Sequence, residues 1–445
     1  MNEASAPATP TFRPFHAWIT VLAGLAFMGN GLDLSVVSFS LTGIRAELGL
    51  TPSEVGYLLP MAGIGQLVGA ICFGSLADRI GRRLAFVLTG CMAGLGIALA
   101  SLASSAQVIA VLLAVAGLGI GGVAPAASAL LSELAPPSHR GQMMAWTQVF
   151  WVIGWSIAAT LGGWFAESLG WRGILAVGGL PAILAIVSWV VVPESPRYLA
   201  ARGHHDRARD LAERLATRHG VVIPLGSQHH AQAASSMWAQ LATIWGRALW
   251  RRTLALWLTW TVLNAVFSGP IYMLPVVLEG TGVESPLRLS AYVGYAMIPA
   301  SLISVLTIDR SGRRPLMMVS LALAGLGALV VTLASTAGPI LAGGALLSGG
   351  ALAAWPVALA WASELYPTRL RGTAAGWGAG VSRLGSISAP LAIGQLLMLG
   401  GSPTLAILPF AVVLFLAVTV VWTFASETAN QSLEDLATRP SSTAT

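Results

Sequence analysis

Charged side chains are scarce in this 445-residue sequence. Only 9% of residues are Asp, Glu, Lys or Arg, where a soluble domain carries about 25%. Lysine is absent altogether, and all 24 basic residues are arginine. Cysteine is nearly absent. Cys72 and Cys91 each fall inside an apolar run, are read as small buried residues, and imply neither a disulfide nor a metal cluster. Histidine avoids the interior of every apolar run: His16 stands at an edge and the other six lie in polar connections. No phosphate-binding P-loop and no catalytic constellation appears, so an ATP-driven pump and an enzyme are not expected, and no cofactor is called for. The chain is polar for roughly 15 residues and then enters a full-length apolar run. It lacks a cleavable signal pattern, and the first run is expected to stay as an anchor.

What the sequence has instead is hydrophobicity, 55% of all residues. A helix needs about 20 mostly apolar residues to cross a bilayer. Twelve such runs can be counted, at 16–40, 53–76, 83–105, 107–132, 142–167, 173–193, 252–278, 287–308, 314–335, 339–363, 373–399 and 403–425. The expected fold is therefore all-α and integral to the membrane, with twelve transmembrane helices and the lipid bilayer as its surroundings. The longest polar stretch, 194–250, holds "RGHHDRARDLAERLATRHG", which reads as a short amphipathic helix at the membrane surface.

The basic excess, a formal net charge of +6, does not point to nucleic acid, because the arginines are sorted by side. The termini and even-numbered connections carry 20 of the 24. The opposite connections hold only Arg45, Arg172 and Arg288, and Arg383 lies inside a span. By the positive-inside rule both termini and the 194–250 stretch are expected in the cytoplasm.

The sequence also repeats itself. "DRIGRR" at 78–83 returns as "DRSGRR" at 309–314, and "SELAPPSHRG" at 132–141 returns as "SELYPTRLRG" at 363–372, both 231 residues later. Two six-helix, pseudo-symmetric halves follow: 1–193 and 251–428, with 194–250 as linker and 429–445 as tail. A substrate site between such halves near the midplane is the usual arrangement. The two membrane charges break the repeat: Asp33 projects onto Asn264, and Arg383 onto Val152.

These motifs resemble those of the major facilitator superfamily. "GSLADRIGRR" at 74–83 is similar to its signature between helices two and three. "PESPRYL" at 193–199 and "SETANQSLEDL" at 426–436 are similar to signatures of the sugar-porter and organic-ion branches. The resemblance spans essentially the whole chain. It implies a cytoplasmic gate of acid–arginine pairs that close that side in one state and part in the other. The residues matched are Asp78, Arg79, Arg82, Glu133, Arg140, Glu194, Arg197, Asp309, Arg310, Arg313, Glu364 and Arg371. Partly hydrated pairs are worth little each, which suits a switch between two nearly balanced states.

At 1.5 Å per residue, Asp33 lies roughly 22 Å beyond residue 18, toward the outer third, and Arg383 roughly 14 Å beyond residue 374, near the midplane. Asp33 is the only carboxyl well inside a span and the natural proton carrier; the alternative is a fixed pair with Arg383 or a backbone donor. Arginine offers a planar fork matched to a carboxylate. "GWGAGVSRLGSISAP" around Arg383 resembles helix eleven of organic-anion and aromatic-acid carriers. "GNGLD" resembles the helix-one pattern of aromatic acid:proton symporters, with Asp33 on its second acid and Asn30 on its first. Leu113 stands where the superfamily's helix-four arginine is usual, and span seven, "WTVLNAVFSGPIY", lacks the paired glutamines of sugar porters. Gln148 and Gly154 do match that branch, while no G-P-centred antiporter signature occurs in span five.

The expected protein is thus a monomeric secondary transporter of the bacterial inner membrane, taking up a small organic anion, most simply an aromatic or heteroaromatic monocarboxylate, with a proton. A sugar or polyol:proton symporter is the alternative, ahead of a drug antiporter or a membrane sensor. Of the sixteen tryptophans, Trp250 and Trp257 read as belt or lipid-facing residues. Tyr57, Trp146, Phe150, Trp151, Trp355, Trp361 and Trp377 are candidate pocket walls, and Asn30, Gln66, Gln148 and Asn264 candidate polar contacts.

Overall fold

The computed structural model describes residues 13–134, 140–191, 194–219, 237–366, 368–400, 402–425 and 427–428. All regular structure among them is helical. Ten stretches are long and apolar enough to cross a membrane. One of them, Trp146–Val190, is two crossings joined where Gly170 leaves helical geometry at φ 62°. The twelfth crossing, Thr368–Met398, carries Arg383 and is too polar to count by hydropathy. The spans in chain order are Pro14–Leu48, Leu58–Ile80, Arg82–Ala100 and Ala106–Leu134, then five and six within Arg140–Val177 and Leu180–Val191. The second half has Trp250–Glu279, Pro286–Ile308, Arg313–Leu333, Ala337–Glu364, Thr368–Met398 and Pro403–Phe424.

Span one runs further than its apolar run. "TGIRAEL" is helix-compatible, and the helix stops only at Gly49, which takes the left-handed conformation (φ 65°) while Leu50 N–H bonds back to Arg45 O. Asp33 therefore stands near mid-helix, nineteen residues after Pro14 and fifteen before Leu48.

Span seven is interrupted. Pro270 has no N–H, and the helix widens into a π-turn over Phe267–Ile271, closed by Tyr272 N–H to Phe267 O at 2.9 Å. Such π-turns mark places where a helix is re-aimed, often at a site.

The halves meet along three seams at the face opposite the arginine-rich turns. Span one meets span seven, where Ser38 Oγ donates to Tyr272 O at 2.5 Å and Arg45 pairs with Glu279 at 2.6 Å. Span five meets span eight, where Thr160 and the Tyr295 hydroxyl share a 2.6 Å bond and Arg288 Nε donates to Gly163 O. Spans two and eleven touch through small residues: a Cβ on Gly56 would stand 2.9 Å from Pro390 O and 3.1 Å from Gly394 Cα. Helices in lipid associate by such close backbone packing rather than by excluding water. Toward the arginine-rich face span eleven loosens, and a Cβ added at Gly376 would meet none of the described residues of other elements within 4 Å.

Among the described residues between the halves there are three short helices rather than one. Pro196–Ala201 and His205–His219 dock on the first half: Tyr198 donates its hydroxyl to Arg79 O at 3.0 Å, and the Arg202 guanidinium donates to the same oxygen. His205–His219 is the expected amphipathic helix, burying Ala208 and Leu215. Met237–Ile244 docks instead on span eleven, with Trp238 against Trp377 and Thr373 Oγ1 donating to Gln240.

Candidate functional site

Arg383 projects from span eleven into the boundary between the halves. Its Nη1 donates to Gln66 Oε1 of span two at 2.5 Å and, longer, to Asn264 Oδ1 of span seven at 3.4 Å. Asn264 is held in turn by its own amide, which donates to Trp260 O one turn back at 3.0 Å. Arg383 Nε is buried with no partner among the described residues. Among the described residues no carboxylate pairs with this guanidinium, and the buried cation is left with two neutral amide oxygens. Unpaired buried donors and charges are costly and mark a place where an anion is missing.

Aromatic rings also line the boundary between the halves. Trp151 of span five meets Phe267 edge-on, with centroids 5.8 Å apart, and Phe267 meets Trp355 of span ten at 6.1 Å and 75°. This row crosses from one half to the other through the π-turn. Tyr272, just past that turn, lies beside Ser35 and within Coulombic reach of Arg383. Phe267, Tyr272 and Ser35 were not anticipated. The available signal was Pro270 in the middle of a span, which turns the neighbouring side chains off the regular helical register.

Asp33 lies elsewhere. It is 1% exposed, and neither carboxylate oxygen has a hydrogen-bond partner among the described residues. No pair with Arg383 or with a backbone donor is seen among the described residues. Its side chain borders a cavity of about 50 Å³ lined by Asn30, Phe86, Val123, Pro181 and Ser188, all from spans one, three, four and six. This is the interior of the first half. Asn30, which donates weakly to Ile120 O at 3.4 Å, belongs to this cavity and not to the Arg383 site. Asn264, the repeat mate of Asp33, is the one that reaches Arg383.

The remaining pocket candidates scatter. Tyr57 (48% exposed) and Trp146 (51%) are exposed rather than enclosed in a pocket wall. Gln148 is half-buried on span five, and the Phe150 ring fills the contact with Gly24 of span one. Trp361 is fully buried in the packing of the second half and meets no open space. Trp377 is covered by Trp238. Trp257, read as a lipid-facing residue, is buried and donates its indole N–H to Ala374 O of span eleven at 3.1 Å. Cys72, read as buried, is exposed. A spanning helix is apolar all round, so sequence alone could not tell its inward face from its outward one.

The arginine-rich turns follow the repeat. Glu194 accepts the backbone N–H groups of Arg82 and Arg83 at 3.0 and 3.2 Å, beside Gly81. Glu427 accepts those of Arg313 and Arg314 at 2.9 and 3.0 Å, beside Gly312. Each acid thus caps the first turn of span three or nine, where the helix dipole favours a negative charge. Arg313 also pairs with Glu364 at 3.2 Å. These contacts each lie within one half. Arg79 and Arg310 are exposed. The side chains of Asp78, Glu133, Arg140, Arg197, Asp309 and Arg371 lie outside the described residues.

The family described as "Sugar (and other) transporter" matches residues 26–439. The niacin transporter NiaP of Acinetobacter baylyi is 30% identical over 95% of this chain and 96% of its own length. The 4-hydroxybenzoate transporter PcaK of Pseudomonas aeruginosa is 28% identical, with 84% of each chain covered. Among solved structures, the inward open conformation of the xylose transporter XylE from E. coli superposes with a TM-score of 0.75 at 22% identity, covering 95% of this chain and 99% of that one. Twelve crossings in two repeated halves, a buried charge where they meet and this full-length match agree: the chain belongs to the sugar (and other) transporter family of the major facilitator superfamily and is an integral membrane transporter, not an enzyme.

Proposed function

We propose that the protein takes up a small aromatic or heteroaromatic monocarboxylate together with a proton, by alternating access. The observation that carries this reading is Arg383: a buried guanidinium at the boundary of the halves, held by amides and lacking an acid. A carboxylate would supply the missing charge through the fork geometry that arginine favours. The ring of the substrate would lie against Trp151, Phe267 and Trp355. The names of the relatives, niacin and 4-hydroxybenzoate transporters, support an aromatic acid.

Asp33 would carry the proton. Its separation from Arg383 keeps the proton and the anion on different sites, so coupling runs through the packing of span one, which bears Asp33 on one side and Ser35 and Ser38 toward span seven. The arginine-rich face is read as cytoplasmic, in the inner membrane of a bacterium, with a single chain as the working unit. The halves 1–193 and 251–428 would rock about the site, with 194–250 as the tether between them. The acid–arginine set, Asp78, Glu133 and Arg140 included, would close the cytoplasmic side when the opposite seams part.

Radiolabelled nicotinate and benzoate in proteoliposomes test the reading. Accumulation driven by an inward pH gradient, and its loss in Arg383→Ala, is the expected result. A second reading, sugar:proton symport, is favoured by the xylose-transporting structural neighbour. Xylose or glucose that competes with benzoate, or wild-type uptake of both acids by Arg383→Ala, would overturn the anion assignment.

A further inference from the structure

The hydrogen bond between Gln66 and Arg383 crosses from one half to the other. It is also the last rung of the seam between spans two and eleven. Beginning at the face opposite the arginine-rich turns, Gly56 lies against Pro390 and Gly394, and Gly63 against Ser386 and Ile387, at 2.9–3.2 Å from an added Cβ. One turn further in, Gln66 Oε1 takes Arg383 Nη1 at 2.5 Å. Beyond that, Gly380 finds only the tip of Leu67 at 3.8 Å, and Gly376 nothing. Any motion that opens this seam separates Gln66 from Arg383 along with the turns above them, because the two side chains belong to different halves.

A carboxylate grips a guanidinium along one of two edges, Nη1–Nη2 or Nε–Nη2. In the state seen here Gln66 occupies Nη1, which blocks the first edge, and Nε is packed away from open space, so the partner it lacks can reach it only when that packing parts. The amide oxygen of Gln66 sits where a carboxylate oxygen would sit. Resting on the anion reading above, we propose that Gln66 is a release residue. When the seam is open, Arg383 is free of Gln66 and binds the carboxylate. As the seam closes, Gln66 takes Nη1 back and the carboxylate leaves toward the arginine-rich face. Affinity then differs between the two faces, and the difference is built by a neutral side chain that competes for the same donor.

The test measures half-saturation for benzoate and nicotinate from each face, in sealed vesicles of both orientations. Wild type should half-saturate at higher concentration from the arginine-rich face. Gln66→Leu removes the competing oxygen, and the ratio of the two constants should fall by about tenfold, a 1.4 kcal/mol change. Gln66→Asn, whose amide is one carbon too short, should lower the ratio in the same direction and serves if the leucine variant does not fold. Gln66→Glu places a permanent carboxylate on Arg383 and should abolish binding of both probes. If Gln66→Leu and Gln66→Asn weaken binding equally from both faces, or leave the ratio unchanged, Gln66 is a plain contact and the inference fails. Arg383→Gln separates the two ideas. Wild-type binding in that variant sinks the anion reading and this inference with it. Lost binding there with an unchanged Gln66 ratio sinks this inference alone.

Discussion

Replacing Asp33 by leucine should make the protein more stable and stop it from working. Leucine has the branching of aspartate, with two methyl groups in place of two oxygens. Both oxygens are buried and without a partner among the described residues, and most of the adjoining cavity wall, Leu22, Phe86, Ala93 and Pro181 included, is apolar. A buried polar group left unsatisfied costs about 1–3 kcal/mol even when neutral. The adjoining cavity of about 50 Å³ has room for the extra methyl volume, so overpacking should not cancel the gain. The midpoint of thermal unfolding in detergent should then rise by on the order of 1–3 °C. Asp33→Asn keeps a polar group in the same place and should show no such rise. For transport the two variants should agree. A monoanion moving with one proton carries no net charge, so uptake should follow a pH gradient and respond little to membrane potential; each further proton would add about 2.3 kcal/mol per 100 mV. Without a titratable group at position 33, both variants should exchange labelled substrate across the membrane but not concentrate it. A fall of several degrees in Asp33→Leu would mean that the carboxyl has a stabilising partner. Accumulation at the wild-type level in either variant would refute the coupling role.

Three further outcomes are expected. Arg383→Lys should lose most of the affinity for benzoate in a binding titration, nearly as much as Arg383→Ala, because a point charge cannot replace the two-pronged fork; retained affinity in the lysine variant would argue against bidentate binding. The Arg45–Glu279 pair joins the halves at 2.6 Å but both side chains are about a third exposed, so it is worth about 0.2–1 kcal/mol. Glu279→Gln should shift the balance toward opening of that face by at most about fivefold, read as cysteine accessibility, and the swap Arg45→Glu with Glu279→Arg should restore it. Gly312→Ala should destabilise the second half by about 1–3 kcal/mol, since φ is 83° and the new Cβ would meet Glu427 Oε2 at 2.7 Å; an unchanged unfolding midpoint would show that the turn tolerates a side chain.

What could be read from the sequence is what depends on local order. Twelve apolar runs imply twelve crossings because a bilayer leaves the backbone no partner but its own helix. The gathering of arginines at one face, and the repeat of "DRIGRR" as "DRSGRR", are likewise visible along the chain, as is the oddity of a lone acid and a lone arginine within spans. Even span eleven, short of the hydropathy of the other spans, stands among the twelve runs counted, at 373–399. Tertiary structure alone decided which side chains share a space. It put Asn264 and not Asn30 on Arg383, set Asp33 apart in the first half, turned Trp257 and Trp361 into packing, and brought in Phe267 and Tyr272 by way of a π-turn. The reason is physical. In water a helix advertises its inner face by its apolar stripe, but a membrane span is apolar on every side. Which face turns inward is decided by close packing of small residues between helices far apart in sequence, and that choice leaves no periodic mark on the chain.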